Sequence, residues 1–221
     1  MENERLSVLG NKQFQEKQKV KEISIKGAAT FHKEVLVKTF HILGYCKIKA
    51  PVEADEFVNK GSCSVDGALT CHHLKNVGQG SFATITGNYI DSSGSLHISK
   101  SLLCTIFQSK GFLQVKDVLV GERVFIEVSS PSNVKEIEGK EEVIISSSQA
   151  TFLNILSLAR RKMVANTIKG KYVTIEQTEV DCVYGDDVKI GQNCKVGEVI
   201  YSNKVYVHKS STVDKMRKLE R

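Results

Sequence analysis

Three consecutive segments of equal length decide the fold: GAATFHKEVLVKTFHIL (27–43), GYCKIKAPVEADEFVNK (44–60) and GSCSVDGALTCHHLKNV (61–77). Each segment begins with glycine and Gly78 opens the next one, so the sequence repeats with a period of 17. Within each segment apolar residues alternate with polar ones, which is typical of short strands with one buried face. A repeat of this kind predicts a coil in which each turn stacks on the previous one.

The repeat also places similar apolar residues in columns 17 positions apart. These columns are Phe31–Ile48–Val65, Val35–Val52–Leu69, Val37–Ala54–Cys71 and Phe40–Phe57–Leu74. We expect parallel backbone hydrogen bonds to join the turns at a spacing of about 4.8 Å. The predicted interior of this β-solenoid therefore includes Phe31, Val35, Val37, Ile48, Val52, Val65 and Leu69.

The period is interrupted near residues 80–94. The step from Leu69 to Leu96 is 27, so this spacing predicts a loop of about ten extra residues that projects from one turn. The period returns near the C-terminus, where Val173, Ile190 and Val207 are again 17 positions apart. Ile190 and Val207 are therefore added to the predicted interior.

Residues 149–166 have a different pattern. Phe152, Leu156, Ala159 and Met163 are spaced by 4, 3 and 4 positions, which is typical of one face of an α-helix. The predicted organisation is a polar leader at 1–19, a first β-helix block at 20–148, a connecting amphipathic helix at 149–166, a second β-helix block at 167–213 and a basic tail at 214–221.

The composition favours a mainly β protein. Val, Ile and Thr together supply about a quarter of the chain, and such β-branched side chains suit pleated strands. No run of 18 apolar residues could form a transmembrane helix. The start of the chain lacks the basic and apolar stretches of a secretory signal, so we expect a cytoplasmic location.

The net charge of +6 is unevenly distributed. Residues 1–40 carry +3, residues 149–170 carry +4 and residues 203–221 carry +4, which leaves −5 for the rest. Two explanations are open: a surface tuned for charge, or arms that contact anionic lipid or nucleic acid weakly. The lysine-rich ends lack interleaved aromatic residues, so we expect no specific binding of nucleic acid.

The residues also resemble a known family. Gly61–Leu69 resembles the rungs of bactofilins, the polymer-forming cytoskeletal proteins of bacteria, and Gly185–Gly197 resembles the C-terminal segment of their longer two-block forms in Gram-positive spore-formers. The resemblance covers residues 20–213. It implies a right-handed β-helix that assembles end to end without nucleotide and serves as a non-enzymatic scaffold. Typical members have Pro-rich tails and one β block, whereas this chain has only two Pro.

The resemblance further implies partners and a location. The first partner is a second copy of the chain, followed by a bactofilin paralogue or client proteins. The expected location is the cytoplasm, together with a weak association with the inner face of the membrane. No catalytic residue, cofactor or metal is expected.

One enzymatic alternative starts from Ile190–Lys195 and Val196–Glu198. These residues resemble two hexapeptide units of left-handed β-helix acyltransferases, and His208 lies nearby as a candidate base. Such enzymes need many consecutive units, and their period is 18. Only two units fit here and the period is 17, so we rank this hypothesis below the scaffold.

A metal site near Cys63, Cys71, His72 and His73 is a second alternative. Both cysteines occupy predicted inward columns, and adjacent histidines in a strand should point to opposite faces. We therefore expect no tetrahedral site from these residues. Cys46 and Cys63 lie one predicted turn apart, which makes a disulfide conceivable, although a cytoplasmic location disfavours it.

The ends of a solenoid are where we expect its function. A terminal turn exposes unpaired backbone N–H and C=O groups together with the end of the apolar interior. An end without a polar cap is a template for another copy. The sequence therefore predicts self-association through the terminal turns.

Overall fold

A computed structural model describes residues 4–148 and 161–220. These residues form strands and turns, and none of them is helical. The strands are β1 (Arg5–Val8), β2 (Asn11–Phe14), β3 (Gln18–Ile25), β4 (Ala28–Phe31), β5 (Val35–Ile42), β6 (Tyr45–Ile48), β7 (Val52–Asn59), β8 (Ser62–Asn76), β9 (Gln79–Ser92), β10 (Ser95–Ile98), β11 (Leu102–Lys110), β12 (Phe112–Val128), β13 (Ser132–Ser147), β14 (Met163–Ile175), β15 (Thr178–Ile190), β16 (Lys195–Val207) and β17 (Thr212–Lys218). The chain divides into two compact units, Met1–Cys104 and Thr105–Arg221.

Unit 1 is a stack of parallel strands in which each strand pairs with the strand one turn further along. Gln18 lies beside Val35, and Val35 lies beside Val52, so the step from turn to turn is 17. Parallel pairing between strands that lie one turn apart defines a β-solenoid, and this part of the prediction is confirmed. The inward positions are taken by β-branched and aromatic residues, which pack well on a pleated surface.

A column of glycines forms one corner of unit 1. A Cβ atom placed on Gly44 would lie 2.0 Å from the carbonyl oxygen of Gly27, and one on Gly61 would lie 2.1 Å from that of Gly44. Both distances are far inside van der Waals contact. The backbones of successive turns therefore approach too closely at this corner for any side chain, which explains the glycine that opens each segment.

Aromatic rings fill the interior of unit 1. The ring centroids of Phe14 and Phe31 are 4.6 Å apart, those of Phe40 and Phe57 are 5.1 Å apart, and those of Phe57 and Phe82 are 6.0 Å apart. Phe31, Phe40, Phe57 and Phe82 are buried. Each buried ring contributes about 1.5–3 kcal/mol to folding, before conformational entropy is counted.

A buried polar ladder runs through three turns of the same unit. Asn59, Asn76 and Ser92 are completely buried. The Nδ2 of Asn59 donates to the Oδ1 of Asn76 at 2.8 Å, and the Nδ2 of Asn76 donates to the Oγ of Ser92 at 3.0 Å. The two amides also donate to the backbone carbonyls of Gln79 and Ser95. The ladder therefore satisfies its own polar groups and links neighbouring turns.

The prediction of a projecting loop at residues 80–94 is wrong. β9 pairs along β8 without an insertion, and Leu69 lies beside Ile85, a step of 16. Leu96 lies beside Gly80 and so belongs to a different column from Leu69. This turn is one residue shorter at a corner, so the apolar residues after it no longer lie 17 positions from those of the previous turn. The sequence pattern alone could not distinguish this shortening from an insertion.

Unit 2 is also a parallel β-solenoid, but its turns differ in length. Val115 lies beside Val134, a step of 19, whereas Val173 lies beside Val188, a step of 15. The alternation of inward and outward side chains survives because residues are gained or lost at the corners, where the register shifts occur. A fixed period of 17 therefore does not describe this unit.

The predicted column through Val173, Ile190 and Val207 is wrong at its first step. Val173 lies beside Val188, and the residue beside Ile190 is Ile175. The second step is right, since Ile190 lies beside Val207. The error has the same cause as the predicted loop, because a turn with a step of 15 was assigned a step of 17.

The structure also changes the predicted boundaries near the termini. The described part of the leader at 1–19 forms strands β1 and β2 and the start of β3, because its residues pair with the next turn. Most of the tail at 214–221 belongs to β17. The division between the two compact units falls after Cys104.

Part of the predicted connecting helix lies outside the described residues, namely 149–160. Its last residues are strand, because β14 begins at Met163. β13 pairs directly with β14, and Gly139 lies beside Gly170. The strands that flank the predicted helix are therefore neighbouring turns of one stack within unit 2.

Candidate functional site at the terminal turns

The first turn of unit 1 is paired on one side. β1 pairs with β3, with Arg5 beside Glu22, and β2 pairs with β4, with Asn11 beside Ala28. The opposite side of β1 and β2 is an edge with free backbone groups among the described residues. Such an edge can accept a further strand.

The inward positions of this first turn are mixed in character. Phe14 stacks on Phe31 and is half-buried, so an apolar column reaches the end of the unit. Lys12 lies beside the buried Ala29 and thus occupies an inward position, where it is exposed. An inward-pointing charge is one of the features that discourage pairing at a sheet edge.

The last turn of unit 2 is also paired on one side. β17 pairs with β16, and the backbone N–H of Leu219 donates to the carbonyl of Tyr201 at 2.8 Å. Because neighbouring residues of a parallel strand direct their N–H groups to opposite sides, the N–H of Lys218 points to the free side. β17 does not extend over Lys204–Val207 of β16, so that segment is a free edge as well.

The apolar interior reaches the surface at this last turn. Met216 lies beside the fully buried Val199, and Val213 lies beside the fully buried Val196. The side chain of Met216 is nevertheless 58% exposed, because no described residue covers it. In contrast to Lys12 at the other end, both inward residues of β17 are apolar.

The rim of the last turn is basic. Lys215, Arg217 and Lys218 are exposed on β17, with Asp214 on the same strand. The Nε of Arg217 lies 3.6 Å from a carboxylate oxygen of Glu198. The last turn therefore combines a free backbone edge, an apolar centre and a cationic rim.

Eight of the nine residues predicted to form the interior lie there. They are Phe31, Val35, Val37, Ile48, Val52, Val65, Leu69 and Ile190, each at most 8% exposed. Val207 is half-buried. It stacks on Ile190, but β17 ends its pairing at Tyr201 and leaves Val207 uncovered.

Cys46, Cys63 and Cys71 of unit 1 are buried, as the columns predicted. Burial raises the pKa of the Cys71 thiol to about 12. A hydrogen bond with Cys46, followed by burial, raises the pKa of Cys63 well above its usual value. Both residues of this pair are free thiols, and protonated buried thiols are poor nucleophiles and poor metal ligands.

His72 and His73 do not point to opposite faces, so that prediction is wrong. The flanking residues Cys71 and Leu74 are both buried, and the two histidines between them lie at a corner with their side chains outside. The Nδ1 of His72 lies 3.5 Å from Asp55. No group of three or more potential ligands that could hold a metal ion occurs among the described residues.

His208 lies in a turn at the end of β16. Its Nδ1 is 2.8 Å from the Oγ of Ser210, and it accepts a hydrogen bond from the backbone N–H of the same serine at 3.2 Å. The hexapeptide-like segment nearby bends at Asn193, which has a positive φ of 56°, before β16 begins. His208 thus serves as part of a local turn in this structure.

The pattern could have identified two end residues that the sequence analysis missed. Lys12 lies one period of 17 before Ala29, and Met216 lies one such period after Val199. Both were assigned to polar segments because their neighbours are charged. Extending the column by one more turn in each direction would have placed them inward.

The sequence matches no protein-family model and no curated protein, and the fold matches no solved structure. In the part of the chain that the structure describes, there is no helix with the length and apolar character needed to cross a membrane.

Proposed function

We propose that this protein is a non-enzymatic scaffold of the bactofilin type, a right-handed β-helix that polymerises end to end without nucleotide. One observation carries the proposal: the last turn of unit 2 presents a free parallel edge around the exposed, inward-facing Met216. A second copy that stacks there would extend the same ladder by one turn. The resemblance of the rungs to bactofilins agrees with this function and with a cytoplasmic scaffold for client proteins.

Head-to-tail stacking is the form of contact that we propose. The first turn of one copy would pair with the last turn of another, a contact that joins two different surfaces and can be repeated from copy to copy. Burial of Met216 would contribute about 1.5–3 kcal/mol. Backbone hydrogen bonds along the edge would add about 1 kcal/mol each. The sum of these two contributions must exceed the entropic cost of association.

Electron microscopy of the purified full chain without nucleotide tests this function. We expect filaments for the wild-type protein. Met216→Asp should abolish them, because a carboxylate would occupy the centre of the contact. Thr212→Asp is the matched control, since it makes the same charge change at an outward position of β17 and should still assemble.

Analytical ultracentrifugation of the same three proteins gives the quantitative result. The wild type and Thr212→Asp should sediment as a concentration-dependent series, and Met216→Asp as a monomer with unchanged circular dichroism. A wild type that stays monomeric at high concentration would overturn the proposal. If Met216→Asp and Thr212→Asp lose assembly equally, the added charge alone explains the loss. That result would also contradict the proposed contact through Met216.

A further inference from the structure

A shallow polar groove lies on the outer surface of unit 2. It has two adjoining parts of about 640 and 430 Å³, and both are lined by Lys171, Asp186 and Ser202. Lys169 and Tyr184 line the first part. These residues come from successive turns of the solenoid, so the groove runs along the stack and not along one strand.

Two lysines in this groove are held against tyrosine rings. The Nζ of Lys169 lies 5.6 Å from the ring centroid of Tyr184, and the Nζ of Lys171 lies 5.3 Å from that of Tyr172. No described carboxylate lies within ion-pair distance of either lysine. Both ammonium groups are therefore oriented and keep their charge available to an anion.

The hydroxyl group of Tyr184 also has a neighbour on its own strand. A hydrogen bond with Cys182 is the main cause that raises the pKa of Tyr184. The hydroxyl therefore stays protonated in neutral solution. One face of the Tyr184 ring lies near Lys169 and helps to orient its ammonium group.

The other side of the groove offers short polar side chains. Ser202 donates from its Oγ to Asp186, and Asn203 donates from its Nδ2 to Asp187 at 2.6 Å. A carboxylate has about four lone-pair positions, so Asp187 can accept further hydrogen bonds from hydroxyl groups. An acceptor of this kind beside fixed cations suits a ligand that carries both hydroxyls and carboxylates.

We propose that this groove binds a linear glycan that carries carboxylates, such as a polyuronate. Lys169 and Lys171 would pair with the sugar carboxylates, and Asp187 would accept hydrogen bonds from the sugar hydroxyls. A phosphodiester chain without free hydroxyls would leave the acceptor Asp187 unused. The ammonium groups over Tyr172 and Tyr184 disfavour the stacking of bases. This inference does not depend on end-to-end assembly.

Isothermal titration calorimetry of the full chain with alginate, a linear polyuronate, tests the groove. We expect binding that weakens as salt is raised, and no binding of uncharged dextran. Lys169→Ala/Lys171→Ala should weaken binding at least about tenfold, because both cationic partners of the sugar carboxylates are lost. The control Lys116→Ala/Lys209→Ala removes two exposed lysines elsewhere in unit 2 and should bind as the wild type does.

Asp187→Ala distinguishes glycan recognition from attraction to any polyanion. This change makes the groove more positive, so binding driven by charge alone would become tighter. We expect weaker alginate binding instead, because a hydroxyl acceptor is lost. Tighter alginate binding by Asp187→Ala would overturn the proposal, as would wild-type binding to oligo(dT) or to phosphatidylglycerol vesicles as strong as to alginate.

Discussion

At the scale of the residue, the closest contacts in unit 1 are between backbones, not side chains. The glycine corner brings the carbonyl oxygen of one turn to within about 2 Å of where the next turn's Cβ would lie. These glycines do not have a left-handed backbone, since the positive φ values in the described chain belong to Gln177, Asn193 and Gly111. Close approach, not a left-handed conformation, therefore requires glycine at this corner.

Gly44→Ala tests the close approach at one position. The added Cβ would lie 2.0 Å from the Gly27 carbonyl oxygen, so the turns must separate locally. We expect a loss of about 2 kcal/mol or more in the free energy of unfolding, measured by denaturant titration of circular dichroism. Gly10→Ala is the matched control because nothing lies within 4 Å of its Cβ position. Equal stability of the two variants would show that the corner tolerates side chains.

The first turn carries a charged inward residue, whereas the inward residues of β17 are apolar. Lys12 would place a charge over the end of the core of unit 1, whereas Met216 leaves the end of unit 2 apolar. A lysine has a long aliphatic stem and can direct its ammonium group to the rim, so Lys12 lowers the affinity of an end contact without forbidding it.

At the scale of the element, β17 is held by one neighbour and leaves its other side free. Its ladder with β16 covers Lys195–Tyr201, and its side chains are mostly exposed. A strand in this position contributes little to the core of its own unit. Its free N–H and C=O groups are the part of the unit most available to a second copy.

Lys218→Pro tests whether backbone pairing at β17 drives assembly. Proline removes the N–H that points to the free side, and an edge position tolerates its ring. We expect shorter or no filaments by electron microscopy, with little change in the melting temperature. Lys218→Ala removes the same charge but keeps the N–H, so it should assemble at least as well as the wild type. If the two variants assemble equally, backbone pairing at this edge is not the contact.

Strand spacing explains what the sequence could and could not predict. The glycine and apolar columns between residues 27 and 78 predicted the solenoid because a strict period of 17 holds there. In unit 2 the same alternation persists, but Val173 pairs with Val188 at a step of only 15. A turn can gain or lose residues at its corners at little energetic cost. The fixed spacing of 17 between turns is then lost, while the alternation of inward and outward residues within each strand is kept.

The two proposed sites were predictable to different degrees. An apolar terminal turn follows from extending the columns to Met216. The groove does not follow from spacing, because Lys171, Asp186 and Ser202 come from three turns of unequal length. Tyr172 and Tyr184 lie beside lysines that precede or face them, in a part of the chain outside the lysine-rich ends.

At the scale of the whole molecule, the two compact units each have their own interior. Unit 1 is built around the phenylalanine stack and the asparagine ladder, and unit 2 around columns of Val and Ile. In a solenoid each turn contacts mainly its neighbours, so stability is close to a sum over turns and interfaces. Damage to one turn should therefore spread along its own stack and weaken with distance.

Val65→Asp tests how far such damage spreads. Val65 is 1% exposed between Ile48 and Phe82, so an aspartate there would be a buried, unpaired charge that costs about 3 kcal/mol or more. We expect hydrogen-exchange mass spectrometry to show lost protection in the strands of unit 1, while β14 and β15 of unit 2 keep theirs. Ser81→Asp makes the same charge change at an exposed position on the next turn and should leave both units protected. Loss of protection throughout the chain would mean that the two units unfold as one, and unchanged protection everywhere would mean that Val65 does not face the interior.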